Sequence, residues 1–230
     1  MFIGNKKCRI YAACGVSQTP NDKENVVRRI VCHQKRIKHS KKNLNQVNKL
    51  IETYNHELER NSGRGKKSLD HLTRAGLIFL CSSFEVYVES VIYETGNFIT
   101  RKIYQPKKLP MEAKKTISDA VKKEKNDISP ILFYDDWKEY YRKLIYYDIK
   151  KLNTPKVQNI QQLFKNYFGI SENEIDDTAF PFKSLDDIIS TRGDVAHNIY
   201  SEKYLRKGKL LEYVDTIKAC VLEMDKLLYK

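Results

Sequence analysis

The stretch AGLIFLCSSFEVYVESVIYE, residues 75–94, limits the fold more than any other part of the chain. At helical spacing Leu72, Gly76, Leu80, Phe84, Val88 and Ile92 line one side, and Phe79, Tyr87 and Val91 widen the apolar sector. A helix apolar this far round has to be covered by several neighbours. The spacing predicts a helix over 68–103, with Ser68 able to cap its start. Glu85 and Glu89 lie inside it, four residues apart. Either they face solvent, or they are buried and paired.

The remaining segments also carry helical periodicity, broken where the nine glycines and six prolines cluster. A long charged helix is expected over 21–60, with a narrow seam of Ile30, Ile37, Leu44, Val47, Ile51, Tyr54 and Leu58. Gly63 and Gly65 end it. Pro106 and Pro110 break the chain before a short basic helix over 110–125. An aromatic helix over 131–152 carries Trp137, Tyr140, Tyr141, Tyr146 and Tyr147. These tyrosines read as core and rim more readily than as platforms for bases. Thr154 as cap and Pro155 in the first turn set up a helix that Gly169 closes. Residues 171–182 read as an acidic loop. Ser184 starts the next helix, with Asp187 as a reciprocal cap, and it reaches His197. After a loop over 198–208 comes a last helix over 209–229, which buries Leu210, Val214, Ile217, Val221, Met224 and Leu228. No long alternating pattern competes, so the class is all-α. One domain over 1–230 is the expectation, with 1–20 a poorly ordered N-terminus or small docking segment, not a signal peptide.

Lys plus Arg number 42 against 29 Asp plus Glu, a formal charge of +13. That balance favours contact with polyanions, with plain solubility as the alternative. The five cysteines, Cys8, Cys14, Cys32, Cys81 and Cys220, are scattered and form no Cys-x-x-Cys pair. This speaks against a disulfide framework or zinc site and for a reducing, cytoplasmic compartment. No apolar run is expected to reach the roughly 18 residues of a membrane span. Walker-type, HExxH and Gly-x-Ser-x-Gly motifs are missing, and His33, His39, His56 and His71 show no metal-ligand spacing.

Within LDDIISTRGDVAH, residues 185–197, Arg192 and His197 are separated by four residues. The same spacing recurs at Arg28 and His33. That copy lies in a long charged helix, lacks the Gly-Asp stretch after its arginine and precedes no terminal apolar helix. Arg192 and His197 have all three features. On a helix the two side chains leave the axis about 140° apart.

This segment, followed by a loop and a last apolar helix, resembles the HEPN superfamily. Those small helical domains carry an Arg-x(4–6)-His signature on the penultimate helix. CSSFEVYVESVIYE is similar to the family's central helix, where an apolar-Glu pattern like Phe84-Glu85 is common. The resemblance implies an antiparallel helical bundle with a long N-terminal helix and a helical elaboration over 104–169. It implies a metal-independent, cofactor-free endoribonuclease that works as a homodimer, as a toxin or phage-defence effector with an antitoxin or defence-system partner, and without a membrane. One departure is Gly193, where the family often has Asn, His or Asp. Asp194 and Ser190 are then the nearest polar groups for His197.

Histidine titrates near neutrality and can act as base or acid. Arginine stays charged and can hold a phosphate with two donors. Arg192 and His197 are therefore the candidate catalytic residues, with Asp194, Ser190 and Glu85 in support. A two-fold dimer would bring two such thin sites together. Lys107, Lys108, Lys122 and Lys123 are candidates for guiding RNA. Bland roles stay open: Arg192 can pair with Asp187 or Asp194, Glu85 can be a structural partner for a cation, and the chain can be a non-catalytic HEPN-like scaffold, an RNA-binding accessory or a basic partner-binding protein.

Overall fold

The computed structural model describes residues 44–60, 69–123, 136–152, 155–176, 178–197 and 204–229. All secondary structure among them is helical. In chain order α1 covers 44–60, α2 Asp70–Lys102, α3 Met111–Lys123, α4 Asp136–Lys150, α5 Val157–Phe168, α6 Glu172–Asp176, α7 Phe182–His197 and α8 Lys207–Tyr229. A 3-10 turn at Pro106–Lys108 joins α2 to α3.

The bundle is built around α2, which packs against α4, α5, α7 and α8. Leu77, Leu80, Phe84, Val88, Val91 and Ile92 are fully or almost fully buried. Four hydroxyls share this interior: Thr73, Ser83, Thr95 and Thr100. Each donates to a carbonyl three or four residues back on α2. These four hydroxyls therefore sit in the core without an unmet donor. An 18-residue window of α2 reaches a mean hydropathy of 1.6, long and apolar enough to cross a membrane, contrary to the expectation from sequence. More than half of that window is buried against other helices, which accounts for its composition.

Two glycines set how closely neighbours approach. A Cβ at Gly76 would lie 2.7 Å from Leu210 Cδ2, so α8 begins against the start of α2. A Cβ at Gly96 would collide with Ile145 Cδ1 on α4. Further along, Tyr87 donates to Asp225 and Val221 on α8, and Lys150 of α4 reaches Glu89. These pairings run α8 in the same direction as α2, and α4 opposite to it.

Away from α2, α3 packs on α5. Gly169 ends α5 in the left-handed region (φ 67°), and its N–H and that of Ile170 return to Lys165 and Phe164 carbonyls. A Cβ there would meet Pro110, so this turn also seats the start of α3. On the far side α1 buries Val47 and Tyr54. The Tyr54 hydroxyl meets that of Tyr204 at 2.8 Å, and Lys207 donates to Asn55. Asp70 accepts from the Leu205 N–H and pairs with Arg74, which ties the approach to α8 onto the base of α2.

Several boundaries differ from the sequence expectation. Ser68, Gly63, Gly65, Thr154 and residues 1–43 lie outside the described residues. Leu69, with no side-chain cap, precedes α2. Pro155 stands before the cap of α5, which is Lys156, and not in its first turn. The acidic loop contains α6, opened by Ser171: its Oγ accepts from the Glu174 N–H while Glu174 accepts from the Ser171 N–H. That reciprocal pair holds a single turn in place. α7 starts at Phe182, two residues before Ser184, because the Pro181 carbonyl already accepts from Leu185. Asp187 consequently faces α8 and caps nothing. Phe79 is not core: it is 51% exposed.

Gly96→Ala should destabilise the fold by about 1–3 kcal/mol, because the added methyl overpacks buried Ile145. Gly193→Ala should stabilise it by up to about 1 kcal/mol, since nothing lies within 4 Å of a Cβ there and alanine is the better helix former. Urea unfolding of both variants checks the opposite signs.

Candidate active site

α7 is the element that carries the motif, and its placement follows from two contacts. Leu185 and Ile188 are fully buried and hold its inner side against the core. At its flank the Tyr213 hydroxyl of α8 donates to Asp187 Oδ2 at 3.0 Å and lies 3.0 Å from Thr191 Oγ1. Lys209 reaches Asp187 at 3.7 Å and sits over the Tyr213 ring. Tyr213 is almost fully buried, and burial is the main reason its hydroxyl titrates above the ordinary value. This clamp acts at the residue immediately before Arg192.

Arg192 is half-buried and leans on α2. Its charge is felt by both Cys81 and Glu85. No ion pair joins it to Asp187 or Asp194 among the described residues; Asp187 is engaged by Tyr213 and Lys209 instead. Glu85 therefore becomes the carboxylate beside Arg192, one turn from Glu89, which Lys150 of α4 approaches at 3.5 Å. Two cations from two helices thus flank two carboxylates on α2. Both carboxylates are half-buried.

Burial raises the Glu85 carboxyl above its ordinary value of 4.5, and the neighbouring Glu89 charge adds to this. Arg192 and Lys150 pull the other way. The net upward shift means that Glu85 holds its proton more readily here than in water. Cys81 is deeply buried and its thiol is pushed up to about 12, so it is a packed, protonated side chain and not a nucleophile.

His197 is the last residue of α7. Its imidazole lies outside the described side chains. The backbone register puts positions 192 and 197 about 140° apart around the axis. Ser190 and Asp194 are exposed, and Gly193 is half-buried with open space about its Cα. The four candidate lysines do not form one patch. Lys107 and Lys108 are exposed in the 3-10 turn, and Lys122 and Lys123 are exposed at the far end of α3, roughly 20 Å of helix away. Their helix packs on α5, whereas Arg192 leans on α2. Among the described residues no group of three or more His, Cys, Asp or Glu could hold a metal ion.

Sequence reasoning missed three features of this surface. Phe79, Val86 and Tyr93 recur every seven residues on α2 and are 51%, 42% and 41% exposed, with Ile78 beside them. The Asp187–Tyr213 clamp and the approach of Lys150 to Glu89 join segments far apart in the chain. Only the seven-residue recurrence had a local signal.

An all-α bundle whose penultimate helix carries Arg-x4-His, followed by a terminal helix packed on the central one, defines a HEPN-type domain. A family model described as RiboL-PSP-HEPN matches residues 35–230, and the chain belongs to that family. The matched span includes the region 104–169. Neither the curated proteins nor the solved structures contain a match. HEPN-type domains are often ribonucleases, which makes this an RNA-related fold.

The raised titration of Glu85 has a definite sign. Below pH 4.5 folded and unfolded chains both hold the proton. As pH rises, the unfolded chain ionises first and stability falls, until the folded group ionises too. Glu85→Gln should therefore melt at or above the parent temperature at pH 7, with the gap closing at pH 4. A variant that loses stability at pH 7 but not at pH 4 would show that Arg192 favours the ionised form after all.

Proposed function

We propose that the protein is a metal-independent endoribonuclease working as a homodimer, with Arg192 and His197 from both copies around one phosphodiester. In this reading one His197 takes the proton from a 2′-hydroxyl as its oxygen attacks phosphorus. Arg192 stabilises the charge growing on the non-bridging oxygens. The 5′-oxygen leaves with a proton from the second His197, giving a 2′,3′-cyclic phosphate and a 5′-hydroxyl. Glu85 orients the guanidinium from α2, and Asp194 and Ser190 are the polar groups nearest the histidine on its helix. The observation that carries the reading is the position of Arg192. It is half-buried beside Glu85 of α2, directly follows the Thr191 that Tyr213 touches, and makes no ion pair with Asp187 or Asp194 among the described residues.

A second copy is supported by the exposed seam of Phe79, Val86 and Tyr93 on α2, the helix against which Arg192 rests. Apolar residues at a spacing of seven on a helix are suited to pairing with the same helix across a two-fold axis. Two copies also answer the divergence of positions 192 and 197 within one helix. The charge of +13 suits an RNA substrate. The role of a toxin or phage-defence effector in the cytoplasm, restrained by an antitoxin or a defence-system partner and without a membrane, belongs to the same proposal. Gly193 favours a second reading, a non-catalytic dimeric scaffold or RNA-binding accessory, because it places no polar side chain at the position four residues before His197.

Purified protein should cut an unstructured RNA in the presence of EDTA and leave cyclic phosphate ends. His197→Ala and Arg192→Ala should each slow this by about 10²-fold or more. RNA bound without being cut by the parent would favour the scaffold. Cutting at an unchanged rate by His197→Ala would remove the proposed chemistry.

A further inference from the structure

The inner side of α4, formed by Trp137, Tyr141, Ile145 and Ile149, is buried against the rest of the bundle. Its outer side carries Tyr146 and Tyr147, 49% and 59% exposed. Their rings meet edge to face, with centroids 6.0 Å apart and planes at 66°. Lys150 Nζ lies 5.8 Å from the centre of the Tyr146 ring. Two adjacent large aromatic rings, each with about half its surface in water, stand outside the core. The same lysine reaches Glu89 on α2, and Glu89 and Lys150 both act on Glu85, as does Arg192. A continuous path therefore runs from Tyr147 and Tyr146 through Lys150 and the two glutamates to Arg192.

We propose that Tyr146, Tyr147 and Lys150 form a stacking platform for unpaired RNA bases beside the Arg192 surface. Aromatic rings accept the face of any base, and a neighbouring cation takes the phosphate between stacked nucleotides. The Lys150–Glu89 pair is long and its lysine is exposed, so the ammonium can turn to a phosphate at little cost. A-form duplex keeps its base faces stacked inside, so a platform of this kind selects single-stranded segments. This goes beyond cleavage to the form of substrate, and it rests on the RNA reading above without needing the cut itself.

The test uses the full chain carrying His197→Ala, so that RNA persists, with a fluorescein-labelled oligouridylate as probe and anisotropy as readout. Adding Tyr146→Ala and Tyr147→Ala should weaken binding about tenfold or more, the loss expected for stacked bases. Tyr146→Phe with Tyr147→Phe should bind like the parent, because the ring and not the hydroxyl is used. Affinity for an RNA duplex should be unchanged in both. Because both rings are exposed, melting temperature should not move, and that is checked first. Unchanged oligouridylate affinity in the alanine pair, equal loss for single strand and duplex, or no binding by the parent would each overturn the platform. If the wild-type chain never cuts RNA yet the tyrosine dependence holds, the nuclease reading falls and the platform stands. If it cuts and the alanine pair binds normally, the reverse follows.

Discussion

A helix as apolar as α2 has to hide most of its apolar surface from water, and the rest of the bundle follows from how that surface is covered. α8 lies along it from Gly76 to Tyr87, α4 closes over Gly96, and α7 takes the side at Cys81 and Glu85. Burial at about 25 cal/mol per Å² drives this wrapping, but the glycines decide how tightly it can be done. The uncovered sector is then the seam of Phe79, Val86 and Tyr93. Covering α2 also fixes the register of α7, and with it where the motif arginine emerges.

Electrostatics at the α2–α7 contact is built on a compromise. Glu85 and Glu89 repel each other on one face, and burial discourages the charge on Glu85. Arg192 and Lys150 relieve the strain from either side. A guanidinium paired to a fully ionised, well-bonded carboxylate would be committed to structure. Here burial shifts the neighbouring Glu85 carboxyl upward, and Arg192 makes no ion pair with Asp187 or Asp194 among the described residues. Such a group is suited to meeting an anion from outside.

Much of the fold was legible in the sequence because it depends on local period. Val88 and Ile92 in α2, Val214 and Met224 in α8, and Gly169 at the end of α5 all sit where spacing or backbone conformation requires. Phe79 was misjudged because period alone cannot say which sector of an all-round apolar helix lacks a neighbour. Asp187 looked like a cap because the Ser184 spacing fits one; its actual partner, Tyr213, is 26 residues away. The short helix α6 did have a local signal in Ser171 and Glu174, hidden by the acidity of the segment. For the site, the residue types of the motif were readable and their environment was not. Glu85 could be named, but its choice between solvent and a cation was settled by the crossing of two helices, and Lys150, 61 residues from Glu89, gave no hint of taking part. The four lysines show the converse limit: two lie in the 3-10 turn before α3 and two at its far end, spread by the helix between them.

The proposed cleavage requires two copies of α7 to face one another across a single scissile bond. The most direct measurement is an experimental structure of the dimer with an RNA made uncleavable by a 2′-deoxy sugar. Groups that each act within about 3.5 Å of one phosphodiester put the two His197 imidazoles on the order of 10 Å apart, with both Arg192 side chains on the phosphate. Histidines facing away from each other on opposite sides of the dimer, or a monomer that holds the RNA away from α7, would contradict it.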